Sequence, residues 1–157
     1  MKSNHPVPEL LCPAGSEEAL HAAVDSGADA VYLGTKAFGA RASAVNFDDE
    51  TLARAVEYAH LHHARVHVTV NTLVKEQEFS GVRETLRAIA AARADAVIVQ
   101  DLGVAALVRD EVPALKLHAS TQMALSNADD AGFARNFGYD RVVMAPEWSL
   151  DGIRRGA

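Results

Sequence analysis

The chain has 157 residues, of which 49% are hydrophobic and 23% charged, and 15 Lys and Arg against 21 Asp and Glu give a formal net charge of −6. This composition is that of a globular domain and argues against disorder and against a membrane span. Because non-specific nucleic-acid affinity comes from clustered Lys and Arg, the acidic balance argues against nucleic-acid binding by this chain alone. The length fits a single domain.

Cys12 is the only cysteine in the sequence. A lone thiol excludes an internal disulfide and any multi-cysteine zinc or iron–sulfur site within this chain. The N-terminal residues lack the apolar stretch of a signal peptide. We therefore expect a cytoplasmic protein that does not associate with a membrane.

Short apolar runs alternate with longer amphipathic stretches along the whole chain. The apolar runs predict six strands, at residues 10–12, 30–33, 66–70, 96–99, 115–119 and 142–145. The amphipathic stretches predict five helices, at residues 17–24, 48–62, 79–92, 103–111 and 127–137. Because the strands are almost continuously apolar, we expect a parallel sheet that helices cover.

Six βα units fit either of two architectures, a (β/α) barrel cut short or a doubly wound open sheet. A complete eight-unit barrel takes about 250 residues, so the predicted fold is α/β and TIM-barrel-like but partial. Segments 27–34 and 93–100 share the pattern Ala-Asp-Ala-Val, and segment 139–144 repeats it loosely, as expected of repeated βα units. Both architectures bind ligands at the carboxyl ends of the strands.

Polar residues recur at this end of successive strands and predict a convergent polar pocket. The residues predicted to bind substrate are Arg41, Asn46, Asn71, Gln100, His118, Ser120 and Gln122. Asp101 and Glu147 are the predicted acid and base, and each is equally well placed to cap the helix that follows it.

Two further features are predicted to be structural. In the turn from Cys12 to Ser16, capping of the first helix by Ser16 is favoured over phosphate binding, and Cys12 is not expected to act as a nucleophile. His60 and His63 lie near a helix end and His67 lies in the next strand, so these side chains diverge and no metal site is predicted.

Four segments together resemble a known family: ELLCPAG at residues 9–15, GADAVYLG at 27–34, VTVNT at 68–72 and LHASTQ at 117–122. In this order they resemble peptidase family U32, often called collagenase-like proteases. The resemblance runs over residues 9–150 and implies the N-terminal part of a barrel-like domain. It implies a peptide hydrolase acting on a peptide or a small-molecule substrate.

The same resemblance leaves two other functions open. Some similar proteins look like oxygen-independent hydroxylation factors that act on RNA bases or ubiquinone precursors and hold an iron–sulfur cluster through cysteines. Those cysteines correspond to a region beyond this chain, so no cofactor is expected to be held by this chain alone. The third possibility is a non-catalytic barrel fragment that self-associates and thereby hides its open strand edges. Similar proteins also carry an arginine in the segment that reads PEWSL here, at residues 146–150.

Overall fold

A computed structural model describes residues 7–39 and 46–156 of the chain. Strands and helices alternate along these residues, and two short 3-10 helices lie in the loops. The strands are β1 (Leu11–Pro13), β2 (Ala30–Gly34), β3 (Arg65–Val70), β4 (Ala96–Val99), β5 (Lys116–Ala119) and β6 (Arg141–Val142). The helices are α1 (Glu17–Asp25), α2 (Asp49–Leu61), α3 (Phe79–Ala91), α4 (Leu102–Glu111), α5 (Ala128–Phe137) and α6 (Leu150–Gly156).

The six strands form one parallel sheet in which each strand pairs with the next one along the chain, in the order β1-β2-β3-β4-β5-β6. A doubly wound sheet reverses its strand order at a switch point, whereas this order never reverses. The fold is therefore an open half-barrel of six βα units, which confirms the barrel-like prediction.

Successive residues of each strand face opposite sides of the sheet. On β3, Val66, Val68 and Val70 belong to the buried apolar cluster that the helices cover. The residues between them, His67 and Thr69, therefore face the inner side of the half-barrel, which we call the lumen. The lumen-facing row carries polar side chains on β3 and β5, whereas on β4 it consists of Ala96 and Ile98.

The repeated segments share an aspartate that has a structural role. This aspartate follows alanine in two segments and tyrosine in the third, and it lies just before an even-numbered strand. Its carboxylate accepts a hydrogen bond from a backbone amide at the start of the strand before it. The three bonds run from Leu10 to Asp29 (2.7 Å), from Val66 to Asp95 (2.7 Å) and from Leu117 to Asp140 (2.8 Å). Each carboxylate thus fixes the position of one strand against its neighbour.

We expect Asp140→Ala to lower the free energy of unfolding by about 1–3 kcal/mol, because the partly buried amide of Leu117 would lose its acceptor. Burial acts to raise the pKa of Asp140, but the bonds from Leu117 and Arg109 outweigh it and the pKa is lowered. A carboxyl with a lowered pKa stabilises the fold above its unfolded pKa, and this contribution is lost as the pH falls through the folded pKa. Urea unfolding at neutral and acidic pH measures both effects.

The control for this measurement is Asp110→Ala, because Asp110 is exposed on α4. Its replacement is expected to change the unfolding free energy by no more than about 0.5 kcal/mol. The difference between wild type and Asp140→Ala should shrink on acidification. A loss that is the same at both pH values would show that the charge of Asp140 contributes nothing.

Helix capping follows the sequence prediction at α1. The Ser16 hydroxyl accepts a hydrogen bond from the amide of Ala19 at 3.2 Å. The chain leaves the helix through Gly27, whose φ of +92° favours glycine.

No helix in residues 7–39 and 46–156 combines the length and the apolar character that crossing a bilayer requires.

The last strand differs from its prediction, which placed it at residues 142–145. It covers only Arg141–Val142, because the backbone amides of the following residues do not all hydrogen-bond to β5. The amide of Val143 still bonds to Ala119 on β5 at 2.9 Å, whereas that of Ala145 bonds to Leu125 at 3.3 Å. The apolar run therefore continues past the point where the chain leaves the sheet.

An ion-pair cluster, which we call the clasp, joins the two outer strands across the lumen. Glu9 lies just before β1, and its carboxylate contacts the guanidinium groups of Arg141 on β6 at 2.6 Å and of Arg65 on β3. The Arg141 hydrogen bond is the main cause of a lowered pKa at Glu9. Glu9 and Arg141 are 132 residues apart in sequence, so the clasp draws together the ends of the open sheet.

Candidate functional site

A cavity of ≈ 350 Å³ lies at the carboxyl ends of the strands. This volume falls within the usual range for small-molecule sites, and the location is that of ligand sites in barrel folds. The described residues that line it are Leu11, Ala14, Gly15, Tyr32, Leu33, Gly34, Gly39, Asn46, Thr69, Asn71, Ile98, Ser120, Thr121, Gln122 and Val143.

The described lining contains no charged side chain. Its polar groups are the amides of Asn46, Asn71 and Gln122 and hydroxyl groups that include that of Ser120. The remaining surface is apolar or aromatic. Amides and hydroxyls can each donate and accept hydrogen bonds, so this lining suits an uncharged planar ligand that carries its own carbonyl and N–H groups.

Gly34 allows the polar lining to close around the cavity floor. A Cβ atom on Gly34 would lie 3.0 Å from the Asn46 side-chain oxygen and 3.2 Å from the Thr69 hydroxyl. The Thr69 hydroxyl is held in place by donating to the carbonyl of Leu33 at 3.2 Å. Any side chain at position 34 would therefore displace groups that line the site.

Four of the seven residues predicted to bind substrate, Asn46, Asn71, Ser120 and Gln122, line the cavity. The Ser120 hydroxyl accepts a bond from the amide of Gln122 at 3.2 Å and so orients the loop after β5. Gln100 follows β4 but does not belong to the lining, and Arg41 lies outside the described residues. Their roles in substrate binding stay predictions.

Asp101 caps helix α4 and also hydrogen-bonds the loop that follows β3. One of its carboxylate oxygens accepts from the amides of Gly103 at 2.8 Å and Val104 at 3.0 Å, at the start of α4. The other accepts from the amide of Val74 at 3.3 Å, in the loop after β3 that also carries Asn71. These contacts match the capping alternative, and Asp101 does not line the cavity. A role as catalytic acid or base stays a prediction.

Glu147 lies in the turn between β6 and α6, is exposed and does not line the cavity. The neighbouring Trp148 anchors this turn, because its indole N–H donates to the carbonyl of Leu125 at 2.8 Å. The predicted catalytic role of Glu147 remains a prediction.

His118 lies one layer below the cavity, with its side chain in the lumen. Its ring makes an edge-to-face contact with that of His67, with the ring centroids 4.7 Å apart. The pKa of His118 is lowered to about 4, mainly by burial and secondly by the nearby His67. Burial also lowers the pKa of His67. Both imidazoles are therefore neutral near pH 7.

Several lining residues were not predicted, notably Tyr32, Ile98 and Val143. They lie in or directly after apolar runs, where the sequence does not distinguish lumen-facing from helix-facing positions. Counting every second residue back from Asn71 along β3 finds Thr69, and the same alternation identifies the lumen-facing residues of the other strands.

The described residues do not fit a metal or cluster site. Residues 7–39 and 46–156 contain no group of three His, Cys, Asp or Glu side chains that could hold a metal ion. Cys12 is half-buried and packs against the apolar core. An iron–sulfur cluster needs several thiolates, and this sequence has one cysteine.

Known proteins that are similar in sequence match nearly the whole of this chain. The tRNA hydroxylation protein P1 of Bacillus subtilis is 40% identical over 147 residues, which cover 94% of this chain and 35% of that protein. The collagenase of Porphyromonas gingivalis is 35% identical over 147 residues, which cover 93% of this chain and 35% of that protein. The chain therefore spans about a third of the length of these two relatives.

The solved structure of the U32 peptidase Mk0906 superposes with a TM-score of 0.76 at 16% identity, covering 100% of this chain and 68% of that one. At this identity the likeness shows the fold. The sequence model of peptidase family U32 matches residues 15–155, which is most of the chain. The chain belongs to peptidase family U32.

Proposed function

We propose that this half-barrel is the base-binding part of a U32 protein that hydroxylates RNA. The observation that carries the proposal is the cavity lining of amides and hydroxyls, which has no charged side chain among the described residues. A pyrimidine base is planar and uncharged, and its edge presents carbonyl and N–H groups that such a lining can hydrogen-bond. The tRNA hydroxylation protein P1 of Bacillus subtilis supports the substrate class.

The acidic charge of the chain limits what it contributes. A net charge of −6 provides little attraction for a phosphate backbone. We infer that this chain recognises the base and that the affinity for the rest of the RNA comes from other parts of the protein or from a partner. The single cysteine of this chain does not fit an iron–sulfur cluster, which needs several thiolates.

Peptide hydrolysis is the second candidate, supported by the collagenase of Porphyromonas gingivalis. A peptide bond is also planar and uncharged and would satisfy the same amide groups. Hydrolysis additionally requires a group that activates water, and for this we propose Glu147 or Asp101. Base binding is favoured because neither carboxylate lines the cavity.

Uridine binding to Asn71→Ala and Gln122→Ala tests the proposed function. Each variant loses a side-chain amide from the cavity, so we expect the Kd to rise about threefold to tenfold, as the loss of one hydrogen bond implies. The matched control is Gln77→Ala, which removes an exposed amide outside the cavity and should leave the Kd unchanged. NMR titration with uridine and with cytidine measures these affinities.

The same titration distinguishes the two candidates. Failure of both nucleosides to shift the resonances of Asn71 and Gln122 would overturn base binding. Cleavage of a collagen-derived peptide that is abolished in Glu147→Gln would then support hydrolysis.

A further inference from the structure

The described lining of the cavity contains one aromatic side chain, that of Tyr32 on β2. Its chain neighbours Val31 and Leu33 belong to the apolar core on the helix side of the sheet, so the alternation of the strand directs Tyr32 into the lumen. Tyr32 is half-buried, whereas Val31 and Leu33 are buried. The exposed part of the Tyr32 side chain therefore faces the cavity.

Small residues lie next to Tyr32 on this wall of the cavity. The amide of Ala14 donates to the Tyr32 carbonyl at 2.9 Å, and Gly15 follows Ala14 in the chain. Gly34 is the next lumen-facing residue of β2. All three line the cavity, and none has a side chain larger than a methyl group. They leave space for a flat ligand beside the ring of Tyr32.

Hydrogen-bonding groups follow Tyr32 along the same wall. A Cβ atom on Gly34 would lie 3.0 Å from the Asn46 side-chain oxygen and 3.2 Å from the Thr69 hydroxyl. Two residues of a strand span about 6.6 Å, so these polar atoms lie a short distance beyond the Tyr32 ring. A flat ligand whose face lies on this ring can reach them with its edge.

We propose that Tyr32 is a specificity-determining residue and that its ring stacks on the face of an aromatic heterocycle in the cavity. This inference rests on the proposed function, and it narrows the ligand from any planar uncharged group to an aromatic ring. Hydrogen bonds to amides and hydroxyls do not separate a nucleobase from a peptide bond, because both carry carbonyl and N–H groups. Stacking does separate them, because every nucleobase has a π face that gains from contact with an aromatic side chain.

Uridine and dihydrouridine are a matched pair of ligands for testing this inference. Both present the same carbonyl and N–H groups, but reduction of the ring double bond makes dihydrouridine puckered and non-aromatic. We expect the wild-type chain to bind uridine about fivefold to thirtyfold more tightly than dihydrouridine, as the loss of one base–aromatic stack implies. NMR titration of the 157-residue chain with each nucleoside measures the two Kd values.

Substitutions at position 32 show whether this ring causes the preference. Tyr32→Leu removes the aromatic face and should make the two Kd values equal, whereas Tyr32→Phe keeps the face and should keep the preference. Tyr58→Leu is the matched control, because Tyr58 lies on α2 outside the lumen, where its hydroxyl donates to Asp25 at 2.6 Å. This variant should prefer uridine as the wild type does. Circular dichroism establishes whether each variant is folded.

Equal affinity of the wild-type chain for uridine and dihydrouridine would overturn the inference and leave base binding standing. A folded Tyr32→Leu variant that still prefers uridine would overturn it as well. If Tyr32→Leu does not fold, nuclear Overhauser contacts between the Tyr32 ring protons and the uridine base in the wild type decide the question, and their absence counts against stacking. Failure of both nucleosides to bind the wild type would overturn the proposed function, and this inference with it.

Discussion

Gly34→Val is expected to abolish detectable uridine binding while the chain still folds. The added side chain would occupy the space beside the Asn46 oxygen and the Thr69 hydroxyl, which lie 3.0 and 3.2 Å from the position of a Cβ atom. The backbone of Gly34 needs no left-handed conformation, and valine is favoured in strands. The added side chain therefore displaces residues of the cavity lining and leaves the strand in place. NMR titration of the variant with uridine measures the loss of binding.

Gly132→Val is the matched control, because a Cβ atom at this position on α5 would meet nothing within 4 Å. Uridine should bind this variant as it binds the wild type. Binding to Gly34→Val with wild-type affinity would show that the ligand does not use this cavity. Circular dichroism and thermal unfolding establish whether each variant is folded.

Glu9→Gln is expected to lower the free energy of unfolding by about 1–2 kcal/mol, since it removes the charge that Arg65 and Arg141 share. The expected loss of stability is small because both guanidinium groups are partly exposed to solvent, which screens their charges. We also expect weaker uridine binding, because Leu11 on β1 and Val143 after β6 line the cavity. Loss of the clasp would allow these two edges to separate.

The pH dependence of this effect has a defined sign. The hydrogen bond from Arg141 lowers the pKa of Glu9, so the carboxylate stabilises the fold above the unfolded pKa of about 4.3. The difference between wild type and Glu9→Gln should shrink as the pH falls through the lowered pKa. Glu84→Gln, at an exposed position on α3, is the control. Equal stability of wild type and Glu9→Gln at neutral pH would contradict a stabilising clasp.

The βα alternation was predictable because short, mainly apolar runs alternate with longer amphipathic stretches, several of which begin at a capping residue. Ser16 and Gly27 mark the two ends of α1 by local chemistry that does not depend on the rest of the chain. The end of β6 was not predictable, because it depends on Ala145 bonding to Leu125 in a distant loop. Local signals identify elements, whereas tertiary hydrogen bonds determine where some of them stop.

The candidate site was predictable at residues that follow the strands. Asn71 and Gln122 are polar residues directly after apolar runs, and they line the cavity. Glu147 also follows such a run, but the turn that Trp148 anchors leaves it exposed and outside the lining. The pairing of His67 with His118 depends on strand register across β3, β4 and β5, which sequence periodicity does not reveal.

The clasp also has a consequence for the order of folding. Contacts between neighbouring βα units close short loops, whereas the bond between Glu9 and Arg141 closes one of 132 residues. Closure entropy grows with loop length, so this contact is expected to form after the units have assembled. A contact absent from the folding transition state changes the unfolding rate and leaves the folding rate almost unchanged. The clasp is therefore expected to slow unfolding, so its strength sets the lifetime of the folded half-barrel.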